Sequence, residues 1–243
     1  MSVPRKLDVA FPEDVMARVR ARRNQLHLYQ RINPVLTALL VVDMQTAFLE
    51  EGSLVGLQTA RDIVPTINRL ARQVRRTGGR VVWIISTYGP DESDRWPVLL
   101  GDVFASDAAE ALRVMLSEGA NGHALWPLLD RNPQDAVVSK NRSSAFLGSK
   151  GKLQRILEEF GVETVLITGT MTSVCCESTA REASMLDFKT IFVMDANGGR
   201  SAQEDLATYA TFIQSFGDVT TSDDVIDRLE QGMRTFSPSS SLG

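Results

Sequence analysis

At 243 residues the chain is long enough to bury the core of one large domain and short for two. Its 43% hydrophobic and 23% charged residues are the balance of a folded protein, not a disordered one. Lys plus Arg number 26 against 30 Asp plus Glu, and a net charge of −4 excludes the broad positive field that attracts nucleic acid or an anionic membrane. No apolar run reaches the roughly 18 residues a membrane span needs, and the N-terminal MSVPRKLDVAFPEDV lacks a signal-peptide core. The expectation is a cytoplasmic protein whose partner is a small molecule.

In chain order, residues 11–26 (FPEDVMARVRARRNQL) begin with a proline and two acidic residues, which suit a helix N-terminus, and continue with helix formers. Val15, Met16 and Val19 make a narrow apolar stripe suited to packing on the domain or on another subunit, and the arginines read as a solvated face. After Asn33-Pro34 the near-continuous apolar run 37–42 predicts a strand covered on both faces, ending at Asp43. A helix over 57–77 stops at Gly78-Gly79, and residues 80–86 predict a second buried strand. From 87 to 132 the pattern loosens around a helix at 107–118; excursions of this length commonly supply the walls or lid of a site.

Regularity returns with a strand at 136–139, a helix at 151–160, a strand at 163–168, a helix at 174–186 and a strand at 190–194. Helices at 201–216 and 222–234 follow, with a short strand near 216–219 feeding the cap of the last helix and Asp195 to Gly199 forming a turn that caps the helix from Ser201. Alternating strands and helices predict a three-layer α/β/α domain with a mostly parallel, doubly wound sheet of about six strands. It spans 34–235, after a helical extension over 1–33 and before a disordered tail over 236–243. Ligands of such sheets bind beyond the carboxyl ends of the strands. Asp43, the loop holding Lys140 and the Gly169 turn leading to Cys175 all fall at that edge.

Cys175 and Cys176 are the only cysteines; neighbours make a strained bridge, so a free, reactive thiol is expected. At a helix N-terminus the macrodipole and unpaired N–H groups favour the thiolate over the thiol, which makes Cys175 a candidate nucleophile. Taken singly, Cys175 reads more readily as a small core residue, Asp43 equally as a catalytic carboxylate or a cap, and Lys140 as a solvated surface cation.

Three segments together carry more. Leu39-Leu-Val-Val-Asp-Met-Gln45 with Phe48 behind it, Lys140 followed by Ser144-Ala-Phe146, and Gly169-Thr-Met-Thr-Ser-Val-Cys-Cys-Glu-Ser-Thr-Ala-Arg-Glu-Ala183 resemble, in order, the signatures of the isochorismatase-like cysteine hydrolases. The resemblance covers about residues 37–229 and implies a triad of Asp43, Lys140 and Cys175. It further implies a cis peptide at Thr170–Met171 and an oxyanion hole made by the backbone N–H groups of Met171 and Cys175. Asp43 would take the thiol proton and return it to the leaving amine, while Lys140 stabilises the thiolate. Cys176 stands where the family usually has an apolar residue and is assigned to packing.

Residues 85–96 contain no histidine, and the chain has only His27 and His123, so the metal site of the family's nicotinamidases is missing; neither metal nor cofactor is expected. True isochorismatases lack the nucleophilic cysteine. The metal-free amidase branch remains, and the Cys175 segment is most similar to the N-carbamoyl and ureidoacrylate group. The expected chemistry is hydrolysis of a C–N bond in a small amide or N-carbamoyl/ureido acid through a thioester-type intermediate. The alternatives are a non-catalytic binding or assembly protein and a vinyl-ether hydrolase. For the pocket the candidates are Phe48, Tyr88, Trp96, Arg142, Phe146 and Met171, with Arg142 and Arg95 suited to a substrate carboxylate. Family habit and the N-terminal extension imply a homodimer or homotetramer.

Overall fold

The computed structural model describes residues 11–91 and 94–236. One sheet of six parallel strands runs through it in the order β3-β2-β1-β4-β5-β6, with β1 Thr37–Val42, β2 Arg80–Ser86, β3 Ala136–Lys140, β4 Thr164–Thr170, β5 Lys189–Gly198 and β6 Asp218–Thr220. The two central strands, β1 and β4, are buried along their whole length, so neither shows polar alternation; helices cover both faces. Alternate residues of β1 divide between two cores: Ala38, Leu40 and Val42 face one, Leu39 and Val41 the other.

The first core is closed by α1 Glu13–Arg23, α6 Ala145–Gly148, α7 Lys152–Glu159, α8 Glu177–Met185 and α9 Ala202–Ser215. The second is closed by α3 Gln58–Asp62, α4 Val64–Arg76 and α10 Ser222–Phe236. Phe192 of β5 sits at 5.2 Å from Tyr209 and 5.4 Å from Phe212, both edge-on, which seats α9 on the sheet. Two shorter helices, α2 Thr46–Leu49 and α5 Ser106–Met115, stand with the 87–132 excursion over the carboxyl edge and share a small cluster of Ala47, Tyr88, Leu112 and Leu116.

Several expectations are corrected. The single helix over 57–77 is two, α3 and α4, divided at Ile63; Pro65 lies in the first turn of α4, where its missing N–H is tolerated but an uninterrupted helix is not. Strand β5 runs on to Gly198 through a register shift against β4, so Asp195 is no turn residue. Its carboxylate accepts from Ser222 N (2.7 Å) and Ser222 Oγ (2.5 Å), capping α10; the helix from Ala202 is capped by Ser201 Oγ. Lys140 is the last residue of β3, not a loop residue. Helix α6 was not expected, and α10 extends through Phe236, one residue into the expected tail, whose remainder lies outside the described residues.

Helix α1 packs on the domain. Val15 and Val19 join the first core, and Arg18 and Arg22 donate to the Gln214 side chain (2.7 Å) and carbonyl (2.8 Å) at the end of α9. Part of the arginine face is therefore an anchor, not a solvated surface. No helix among the described residues is long and apolar enough to cross a membrane.

Candidate active site

The carboxyl ends of β1, β2, β3 and β4 meet at one place. Asp43 follows β1 with φ 51°, a left-handed conformation that aspartate tolerates, and its N–H continues the ladder to Ile84 O at 2.9 Å. From β4, Gly169 takes φ 115°; a Cβ there would stand 2.1 Å from Val42 O, so only glycine lets the two central strands approach this closely. The Thr170–Met171 peptide that follows is cis. A π-helical turn over Thr172–Cys176 then carries Cys175 back over the strand ends before α8 begins. Cys176 N–H reaches the Met171 carbonyl (3.2 Å), which leaves the N–H of Cys175 in the first turn, where helix donors lack partners.

Lys140, from β3, joins the groups. Its Nζ lies 2.8 Å from Asp43 Oδ2, 2.8 Å from Ser86 Oγ, 3.1 Å from the Arg142 carbonyl and 3.3 Å from Cys175 Sγ. Both charged side chains are only 1% exposed, so a salt bridge at this depth survives because every charge has a partner. Ser86, at the end of β2, donates to Asp43 Oδ1 at 3.0 Å. Gln45 holds the Ser86 backbone from both sides: Ser86 N–H donates to Gln45 Oε1 (2.7 Å), and Gln45 Nε2 donates to the carbonyls of Ser86 (3.0 Å) and His123 (2.9 Å).

Burial alone would push the Lys140 ammonium toward deprotonation, but the Asp43 carboxylate and Cys175 reverse this and hold it above the usual lysine range. For Cys175 the outcome differs from the helix-dipole expectation. Burial pushes the thiol up to about 12, and Asp43 adds to the effect through its charge and a hydrogen bond, outweighing the pull of Lys140 in the other direction. Burial dominates because the neighbouring Asp–Lys pair offers the sulfur little net positive charge to offset it, and α8 starts only after the cysteine. The sulfur is therefore held as a thiol, with Asp43 beside it. Cys176 is fully buried in the first core, its sulfur 3.8 Å from the Thr168 carbonyl, as expected of a packing residue.

Around the triad, Tyr88 is buried close enough to feel Lys140, Cys175 and Asp43, and burial pushes its phenol up to about 12. Arg142 lies over the Trp96 ring at 5.6 Å, its Nη1 held by the carbonyls of Arg95 (2.9 Å) and Asn141 (2.8 Å). The fold thus gathers Arg95, Trp96 and Arg142, while the Arg142 carbonyl accepts from Lys140. Phe48 is half-buried between the second core and the cluster under the excursion, and Met171 is half-buried at the turn. Phe146 is misplaced as a pocket residue: it belongs to the first core and stacks on Phe188 at 5.8 Å, because α6 turns that side chain inward.

A cavity of about 550 Å³ opens beside β3, lined among others by Tyr88, Pro90, Asn141, Ser149 and Lys150. Of Asp43, Lys140 and Cys175, only Lys140 lines it. Ser86 and Gln45 were not among the candidates. The available clue was a polar residue closing a buried strand at the same edge as Asp43.

The family model described as Isochorismatase domain matches residues 37–224. Ureidoacrylate amidohydrolase RutB of Methylorubrum extorquens is 32% identical over 173 residues, covering 66% of this chain and 68% of the relative. A solved cysteine hydrolase from Pseudomonas syringae pv. phaseolicola 1448A matches with a TM-score of 0.77 at 28% identity, over 86% of this chain and 98% of that one. An N-carbamoylsarcosine amidase from Thermoplasma acidophilum shares the fold at a TM-score of 0.62 and 24% identity, covering 77% and 96% of the two chains. A parallel α/β sheet that presents these sequence signatures at its carboxyl edge defines a class of hydrolases. Within that class, the chain belongs to the isochorismatase-like cysteine hydrolase family.

Proposed function

We propose that this protein is a cysteine amidohydrolase acting on a small amide or an N-carbamoyl or ureido acid. The observation that carries the reading is Lys140 Nζ standing 2.8 Å from Asp43 and 3.3 Å from the Cys175 sulfur at the edge where ligands of parallel sheets bind. The relationship to ureidoacrylate amidohydrolase RutB favours the carbamoyl or ureido class. Neither a metal nor a cofactor has a part in these steps.

In this reading the substrate carbonyl lies against Cys175, and Asp43 removes the thiol proton as sulfur bonds to carbon. Lys140, held cationic, compensates the charge that leaves the carboxylate and collects on sulfur. The oxygen of the tetrahedral intermediate is held by the N–H groups of Met171 and Cys175, each donor contributing roughly 3 kcal/mol. Asp43 then passes the proton to the departing nitrogen, and ammonia or an amine leaves. Water adds to the thioester or carbamoyl-thiol carbon, returns one proton to the cysteine and releases the acid. Arg142, stacked on Trp96 beside the triad, supplies the fork that a substrate carboxylate would meet, and Tyr88, Phe48 and Met171 form the wall. The same reading has the active protein as a homodimer or homotetramer, which light scattering tests.

The test is ammonia or amine release from a panel of ureido acids, N-carbamoyl amino acids, maleamate and simple amides. Turnover of at least one, with Cys175→Ala reducing it by about a thousandfold or more, is the expected result. Release that survives Cys175→Ala sinks the mechanism.

A further inference from the structure

We infer that Ser86 is a positioning residue that decides which oxygen of Asp43 receives the Cys175 proton. The inference rests on the reading of Asp43 as the base, and its ground is the polarity of one buried hydroxyl.

An ammonium has only protons to give, so the contact between Lys140 Nζ and Ser86 Oγ at 2.8 Å runs from lysine to serine. The single serine proton is then free to go to Asp43 Oδ1 at 3.0 Å, and no other arrangement satisfies both contacts. Oδ1 is engaged by Ser86. Oδ2, the oxygen paired with Lys140, is left to receive the proton of the thiol. Which oxygen faces the sulfur is thus set from β2, a strand that contributes nothing to the Asp–Lys–Cys triad itself.

Lysine supplies three protons, yet four acceptors stand within 3.3 Å of Nζ: Asp43 Oδ2, Ser86 Oγ, the Arg142 carbonyl and Cys175 Sγ. Ser86 and the Arg142 carbonyl hold two of them in place. The third is hydrogen-bonded to the sulfur, while Asp43 Oδ2 meets the ammonium only as an ion pair and has no hydrogen bond of its own among the described residues. When the thiol proton moves to this free oxygen, that carboxyl becomes neutral, and the third N–H stays on the thiolate. Charge is conserved throughout: the proton leaves sulfur for Oδ2 while the ammonium keeps all three of its own. Ser86 anchors this arrangement because it touches both partners and is itself fixed. It is only 7% exposed, and Gln45 grips both its N–H and its carbonyl.

Alkylation of Cys175 by iodoacetamide across pH reads this directly and needs no substrate. Ser86→Ala is expected to slow alkylation at neutral pH by roughly ten- to a hundredfold, the loss of one buried hydrogen bond to a charged group. Its acid limb should move to higher pH, because a carboxylate stripped of a donor binds protons more readily. Ser86→Thr, which keeps the hydroxyl, should stay within about threefold of the parent by the same argument. Where the alanine variant does not fold, Ser86→Thr and Ser86→Val, equal in shape, give the same comparison. An alanine or valine variant that is folded and alkylates with the parent's rate and profile overturns the inference. If the parent hydrolyses no amide while the alkylation profile still depends on the hydroxyl, the amidohydrolase reading fails and the role of Ser86 stands.

Discussion

A cysteine beside a cation need not rest as a thiolate. Cys175 lies beside a cation, but Asp43 cancels most of that charge, and burial keeps the proton on sulfur. The ultraviolet absorbance of thiolate, taken as the difference between the parent and Cys175→Ala, should therefore be absent at neutral pH; a plateau of thiolate there would contradict the raised thiol. The shift also bears on stability. The unfolded thiol titrates near its ordinary value of 9.0 and the folded one near 12, so between these values the unfolded chain binds fewer protons and is favoured as pH rises. Stability contributed by the neutral thiol is complete below about pH 9 and is lost on the way to pH 12. Thermal unfolding of the parent should fall more steeply across that window than that of Cys175→Ala, and parallel curves would sink the argument.

Among the elements, the junction of β1 and β4 decides whether the triad can assemble. Val42 and Gly169 are in register, and the glycine has no room for a side chain. Gly169→Ala must either open the pair or distort the turn that carries Cys175. An L-residue at that φ costs about 1–2 kcal/mol before any clash is counted, so a loss of at least ~2 kcal/mol is expected, with activity falling further than stability because the thiol moves. Chemical denaturation measures the first, and a midpoint equal to the parent's would show that the strands adjust freely. The same junction explains why the π-helical turn was hard to read: it follows a strand end whose contacts lie more than a hundred residues away in sequence, not a local propensity.

At the scale of the molecule, the segment before β1 and the last helix, α10, are tied by one buried cation. Arg228 of α10 donates to the Leu28 carbonyl (2.9 Å) and to Asp218 Oδ2 of β6 (2.8 Å), while its other nitrogen pairs with Asp224 at 2.6 Å. His27 Nδ1 meets the second Asp218 oxygen at 3.2 Å. Asp218 is fully buried, so Arg228→Leu leaves a carboxylate inside without its main partner. Breaking such a pair costs about 3–5 kcal/mol, which in a chain of this size lowers the melting temperature by about 10 °C. Calorimetry would show this, and a shift under about 2 °C would mean that water or His27 replaces the arginine. None of the clasp residues contacts Asp43, Lys140 or Cys175, so kcat at low temperature should change little in the variant.

Strand and helix alternation, the parallel sheet and the three residues Asp43, Lys140 and Cys175 were legible in the sequence, because apolar runs covered on both faces and the polar residues that end them are local patterns. What sequence periodicity could not supply was the company those residues keep. That Ser86 joins the carboxylate to the ammonium, that Arg142 stacks on Trp96 and that Phe146 turns into the core follow from strand order and helix packing between distant segments. The protonation of Cys175 belongs with these. A cysteine near a helix start predicts a thiolate, and burial of the sulfur, aided by the Asp43 charge beside it, reverses the sign. Local sequence determined which groups arrive at the carboxyl edge; their charge and hydrogen bonding were decided by what the tertiary structure packed against them, because hydrogen bonds need contact and burial strengthens the pull of neighbouring charges.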